Sequence, residues 1–329
     1  MPFLALKRRR RQKEAFKMSD FHTEFQTKLG SLELASPILN ASGTFNPSVF
    51  SRLFSLKSHM GAIVTKTVTS NASSGNPQQR TVELPGIGML NSIGLQGKGI
   101  ITSMDVDIPQ YYGCHDLPVI LSISADSEIA FQRMTAYIEA HANRPYLQGI
   151  EVNVSCPNVH AGGALFGASP QWVEKAVKAV RQETSLPLWV KLTPNTTEVV
   201  AVAQASVDAG ADALTAINTV LGSHIDIRRR KPSLAKVSGG YSGQGIKPIA
   251  IHHVLNIAKA LPNTPIVGVG GIRRAEDVLE FLMAGATAVQ VGTHCFSDPA
   301  VFVDLVQDLE AWCVAEGVAS LQDLVGVAV

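Results

Sequence analysis

Short apolar runs that close on small or polar residues recur along this chain, each followed by a pattern of helical period, and the rhythm is counted eight times. The runs are PILNAS to Ser42, GAIVTK to Lys66, LPVILSIS to Ser122–Ser124, and the run Gln148–Val152 with Asn153 at its end. LPLWVK to Lys191, ADALTAIN to Asn218, TPIVGVGG to Gly270-Gly271 and ATAVQVG to Gly292-Thr293 complete the set. Ahead of them FQTKLGSLEL alternates and turns at Gly30-Ser31, which predicts a hairpin able to plug the bottom of a barrel. Helices are expected from Pro47 to about Leu56, and after a cap at Asp126 with an apolar face of Ala130, Met134, Tyr137 and Ile138. Another is expected from Ser169-Pro170 with a stripe of Trp172, Val173, Ala176, Val177 and Val180. Asn195 and Glu198 have the spacing of a capping box for the next. AGADAL and AGATAV are near repeats, each setting a glycine where a helix stops before a strand.

Eight strand–helix units with buried strands predict a closed (β/α)8 TIM barrel, since parallel strands need helical crossovers and closure leaves no edge exposed. An open doubly wound sheet is the alternative. The polar run ends would then converge on one mouth, at the carboxyl ends of the strands. After Lys66 comes a stretch rich in Gly, Pro, Ser and Asn, read as a long irregular loop. It carries GNPQQR and LNSIGLQGKG, putting Arg80, Asn91, Ser92 and Gly94 above the barrel.

Composition narrows the class. The 329 residues are 46% hydrophobic and 17% charged, enough for one large α/β domain over residues 21–329. The net charge of +1 hides an asymmetry. Residues 1–17 hold seven basic side chains against Glu14, a net +6, which leaves the body at −5. Residues 1–20 therefore read as a basic extension: an upstream-initiation segment before Met18, an organellar presequence or a polybasic arm. A mildly acidic body argues against a nucleic-acid surface. Cys114, Cys156, Cys295 and Cys313 are widely spaced with no CxxC pair, so neither zinc nor an iron–sulfur cluster is expected within this chain, and reduced thiols fit the cytoplasm. No apolar run approaches the roughly 18–20 residues of a membrane span.

Candidate chemistry gathers around NVSCPNVHAGG, residues 153–163. An unperturbed thiol, with a pKa near ~8.5, is thiolate to a few per cent at neutral pH, so Cys156 suits a base or a nucleophile. It also suits a small buried hydrophobe, which is what most free cysteines are. Asn153 and Asn158 favour the first reading, because their amides match a ligand of alternating carbonyl and N–H groups. Lys66 and Lys191 end strands, where an ammonium is partly buried and needs an anion: a structural carboxylate or an anionic ligand. GVGGIRR and QVGTHCF offer backbone N–H groups on glycine turns after the last two strands, where such barrels often seat a phosphate.

Taken in order, NASGTF, VTKTVT, GNPQQR, NSIGL, NVSCPN, VKLTPN, INT, SGGYSGQGIKP, GVGGI and VGT cover nearly everything beyond Phe25. Together they resemble the class 1 dihydroorotate dehydrogenases, flavin enzymes of pyrimidine synthesis leading to UMP. AINTVLG, GGYSGQGIKP and NVHAGG resemble the two-subunit, NAD-linked branch. Ser122 departs from it, standing where that branch typically has asparagine and resembling the fumarate-linked branch. The resemblance implies FMN across the mouth, contacted by Ser42, Lys66, Thr67, Ser122, Asn153, Lys191, Ile217, Gly243, Gly270, Gly271, Gly292 and Thr293. It implies dihydroorotate held by Lys66, Asn91, Ser92, Ile93, Gly94, Leu95, Asn153, Asn158, Asn218 and Thr219. Cys156 would take a proton from C5 as hydride leaves C6 for flavin N5, and the loop from Asn158 to Gly167 would close over the substrate. It further implies a homodimeric core and a separate subunit carrying FAD and a 2Fe-2S cluster. The pyrimidine-reducing part of dihydropyrimidine dehydrogenase is the related alternative, disfavoured by NSIGL and Asn158. A flavin enzyme acting on transfer RNA is disfavoured by the acidic body. A non-catalytic barrel that binds a partner is the reading from outside enzymology.

Overall fold

The computed structural model of the protein describes residues 24–50, 57, 59–155 and 166–329. Alternation in TKLGSLEL gives the antiparallel hairpin of β1 (Thr27–Leu29) and β2 (Leu32–Leu34), whose turn needs the positive φ of Gly30. β3 (Ile38–Asn40) and β4 (Ile63–Val64) begin the barrel, and β5 (Thr81–Leu84) with β6 (Gly88–Asn91) form a second hairpin. Then come β7 (Val119–Ile123), β8 (Leu147–Asn153), β9 (Leu188–Lys191) and β10 (Ala213–Ala216). β11 (Val220–Ser223), β12 (Ile225–Asp226), β13 (Lys231–Pro232) and β14 (Ser238–Ser242) make an excursion before β15 (Ile266–Val269) and β16 (Ala288–Val291) return to the barrel.

Among the described residues eight strands form one parallel sheet in the order β3-β16-β15-β10-β9-β8-β7-β4. A parallel bridge between Leu39 and Ala62 joins its two ends, so the sheet closes as the expected (β/α)8 TIM barrel rather than an open sheet. Closure at this seam leans on one side chain. The buried Asn40 amide donates to the Val64 carbonyl at 2.7 Å and accepts from the Val64 N–H at 2.9 Å, standing in for ladder bonds that the short β4 does not supply.

The interior is layered. At the amino ends of the strands, Leu29 and Leu34 of the hairpin pack on Leu39, Val64, Ile120, Trp189, Ala213, Val267 and Ala288. The hairpin's place is fixed by Thr27 Oγ1 donating to the Thr287 carbonyl and by Gly30 lying against Asp212, both residues that precede strands. It is therefore a plug, as its alternation predicted. Outside, helices Glu128–Ala140, Pro170–Arg181, Val199–Asp208, Lys247–Ala260, Ala275–Met283 and Val301–Glu316 bury their apolar faces on the strands.

Several local expectations are corrected. Ser127, not Asp126, caps its helix, its hydroxyl accepting from the Ala130 N–H at 3.3 Å, and the fully buried aromatic of that face is Phe131. The stripe from Val173 to Val180 is buried as expected, with Trp172 at its edge. Asn195 caps no helix: its side chain accepts from the Leu221 N–H and donates to the Thr219 carbonyl, tying the excursion down. The segment after Lys66 is irregular only in part: residues 67–80 and 92–98 hold no strand or helix beyond isolated bridges, but the stretch between them is ordered. Residues 81–91 fold into β5 and β6, which join β14 and β11 in a four-stranded antiparallel sheet, and the chain continues into helix Ile108–His115. The helix from Pro47 is described to Phe50, and the expected remainder to Leu56 lies outside the described residues.

Candidate active site

Ser42, Thr67, Ser122, Asn153 and Asn218 follow the carboxyl ends of separate barrel strands or stand at them, and closure brings them together. Thr67 is the hub: its hydroxyl lies 2.9 Å from Ser42 Oγ and 2.9 Å from Ser122 Oγ, and accepts from Asn153 Nδ2 at 3.3 Å. Asn153 Oδ1 accepts in turn from Asn218 Nδ2 at 3.3 Å and from the Ser155 N–H. Asn218 Oδ1 takes the Thr219 N–H at 2.8 Å. Ile217, wholly packed, links this corner to β15 through its N–H on the Val269 carbonyl. A line of hydroxyls and amides thus crosses one side of the mouth.

The four-stranded sheet builds a wall over it. Asn91, ending β6, donates to the Gly240 carbonyl at 3.3 Å, and a Cβ on Gly240 would strike Thr219 Oγ1 at 2.1 Å. Asn91 and Thr219 are thereby held on one face by a glycine that leaves room for both. The turn Ser92–Leu95 takes positive φ at Gly94 and Leu95 and is pinned by Asn76, whose Nδ2 donates to Ser92 Oγ and the Ser92 carbonyl and whose N–H donates to the Ile93 carbonyl. Asn76 lies in GNPQQR, but its organising role was not read from the sequence.

The two lysines part company. Lys191 is buried, donates to Gln290 Oε1 at 3.2 Å and lies 3.7 Å from Glu151 Oε1. Glu151 and Gln290 are polar residues inside apolar runs, GIEVN and AVQVG, a signal available in the sequence and passed over. Lys66 is exposed rather than buried, and among the described residues no carboxylate pairs with it. Protein packed around it, and secondarily the positive charge of Arg80, push its pKa below the ordinary lysine value. Beside it the Tyr111 hydroxyl is pushed up to about 12 by burial and by Asp107, against a hydrogen bond from the Lys66 backbone.

Across the mouth the glycine turns form a second cluster. Gly243, Gly270 and Gly271 all have positive φ, and a Cβ on Gly271 would lie 3.0 Å from the Gly243 carbonyl oxygen. Thr293 Oγ1 donates to Ser242 Oγ at 2.8 Å, and Gly292 sits against Ala41, next to Ser42. The N–H groups of Gly271, Gly292 and Thr293 find no backbone acceptor among the described residues. Such turns suit a phosphate, and the amide–hydroxyl line suits a flat ring of alternating donors and acceptors. Cys156 and Asn158 lie outside the described residues, as does most of the loop to Gly167.

The fold and this mouth define a class: a parallel barrel whose hydroxyls, amides and glycine turns gather at the carboxyl ends of its strands. A family model for dihydroorotate dehydrogenase matches residues 24–312. The chain is 42% identical over 304 residues to the dihydroorotate dehydrogenase B (NAD(+)), catalytic subunit, of Pelobacter propionicus, covering 92% of this chain and 98% of that one. It is 42% identical over 300 residues to the protein of the same name in Trichlorobacter lovleyi, covering 91% and 96%. The one in Listeria monocytogenes is 42% identical over 299 residues, covering 90% and 96%. This chain belongs to the dihydroorotate dehydrogenase family.

Proposed function

We propose that this chain is the catalytic subunit of an NAD-linked dihydroorotate dehydrogenase, oxidising (S)-dihydroorotate to orotate on bound FMN in the synthesis of UMP in the cytoplasm. The observation that carries the reading is identity of 42% along 98% of a relative so named. FMN, when bound, supplies the hydride acceptor. Gly243, Gly270, Gly271, Gly292 and Thr293 would hold its phosphate; Ser42, Thr67, Ser122, Asn153, Lys191 and Ile217 would face its ring system.

Dihydroorotate is a carboxylated cyclic imide. Lys66 meets the carboxylate, while Asn91, Ser92, Ile93, Gly94, Leu95, Asn153, Asn158, Asn218 and Thr219 match the ring's carbonyls and N–H groups. Cys156 takes the C5 proton as general base, and the segment 158–167 closes over it to exclude water. Electrons leave through a separate subunit carrying FAD and a 2Fe-2S cluster, docked on a homodimeric core. Ser122 favours one second reading, a fumarate-linked enzyme.

Anaerobic dihydroorotate should bleach the flavin of the purified protein. Reoxidation by NAD only with the partner subunit supports the first reading; reoxidation by fumarate without it selects the second. Cys156→Ser should slow bleaching at neutral pH by about 10²–10⁴-fold, a hydroxyl being a far weaker base. An unchanged rate removes Cys156 from the mechanism.

A further inference from the structure

Glu151 is a wholly buried carboxylate that the reading above leaves without a task. Its two oxygens are treated differently. Oε2 accepts from Gln290 Nε2 at 2.8 Å and from Thr215 Oγ1 at 3.2 Å, whereas Oε1 has no hydrogen-bond partner among the described residues and lies 3.7 Å from Lys191 Nζ. Gln290 closes the triangle, its oxygen on the lysine and its nitrogen on the glutamate. Two donors on one oxygen pin the carboxylate. The gap to the ammonium is too long for a hydrogen bond but short for a charge pair between two buried groups, which leaves lysine protons for an acceptor above.

We propose that Glu151 is a positioning residue for Lys191: with Gln290 as the link, its charge keeps the ammonium protonated and directed to the mouth in both oxidation states of a bound flavin. The proposal rests on the reading of this barrel as an FMN site. Reduction to the anionic flavin consumes two electrons and one proton, and a lysine already charged takes up none. With Glu151 replaced by glutamine the buried ammonium has no counter-charge; it releases its proton beside the oxidised ring and recovers it when negative charge arrives. Reduction would then consume two electrons and two protons.

The measurement is the midpoint potential of bound FMN against pH, between about pH 7.5 and 9. One proton per two electrons gives about 30 mV for each tenfold change in proton activity, and two give about 60 mV. Wild-type protein should show the shallow slope and Glu151→Gln the steep one. Glu151→Asp, which keeps the charge, should restore the shallow slope, as should Glu151→Gln combined with Lys191→Met. A flavin-loaded Glu151→Gln protein with the wild-type slope overturns the proposal, even if its flavin binds more weakly. Should that variant fail to fold, the wild-type slope decides alone, since the steep value there also overturns it. A wild-type protein that takes up no FMN sinks the parent reading instead, an outcome seen before any potential is measured.

Discussion

Lys66 and Lys191 end strands of one barrel, yet burial gives them different work. Lys191 has a carboxylate and an amide beside it in the interior; Lys66 stands in the open mouth near the charge of Arg80. Protein packed around its stem, and secondarily Arg80, lower the Lys66 pKa from 10.5, so its ammonium is lost earlier than an ordinary lysine's as pH rises. The free protein should therefore lose affinity for orotate on an alkaline limb whose midpoint falls below that value. Lys66→Arg, charged throughout, should flatten the limb, and Lys66→Met should weaken binding about 10–100-fold at neutral pH, the loss of one charged hydrogen bond. Orotate titrations followed by flavin absorbance check both. An alkaline limb that survives in Lys66→Arg would assign it to another group.

Barrel strands were legible where apolar runs ended in polar residues, and that rule marked Ser42, Lys66, Ser122, Asn153, Lys191 and Asn218. It failed where a strand buries little of either face. β5, β6, β11 and β14 bury only Leu90 and Gly239 fully and, apart from the short Thr81–Leu84 stretch, show no apolar alternation; they gain their order by pairing with each other over the mouth. It also passed over polar residues inside runs, since period alone cannot mark an Asn40, Glu151 or Gln290 whose partners arrive only on closure. Asn40 makes the seam testable. Asn40→Leu keeps the branched shape but leaves the buried N–H and carbonyl of Val64 without partners, at a cost of about 2–4 kcal/mol. Denaturant unfolding should show that loss, with hydrogen exchange fastest at Val64 and its neighbours. Protection lost uniformly around the barrel would mean the seam is not the weak edge.

At the scale of the whole molecule the two ends of the barrel do different jobs. The amino end is closed by the hairpin, where Leu29 and Leu34 fill the interior beneath Trp189, while the described polar groups of the candidate site stand at the other end. The apolar layer between them separates stability from chemistry. Leu29→Ala removes a side chain with no solvent exposure and leaves a cavity that neighbouring strands cannot collapse into, at about 2–5 kcal/mol. Because the strand ends at the mouth are held by their own ladder, the folded fraction should keep its kinetic constants for dihydroorotate. Tm should fall while kcat and KM at low temperature stay within about twofold, since substitutions far from a site with no shared partners act independently. A change in KM with an unchanged Tm would mean that the plug governs the mouth, and that the barrel transmits packing along its axis rather than isolating its ends.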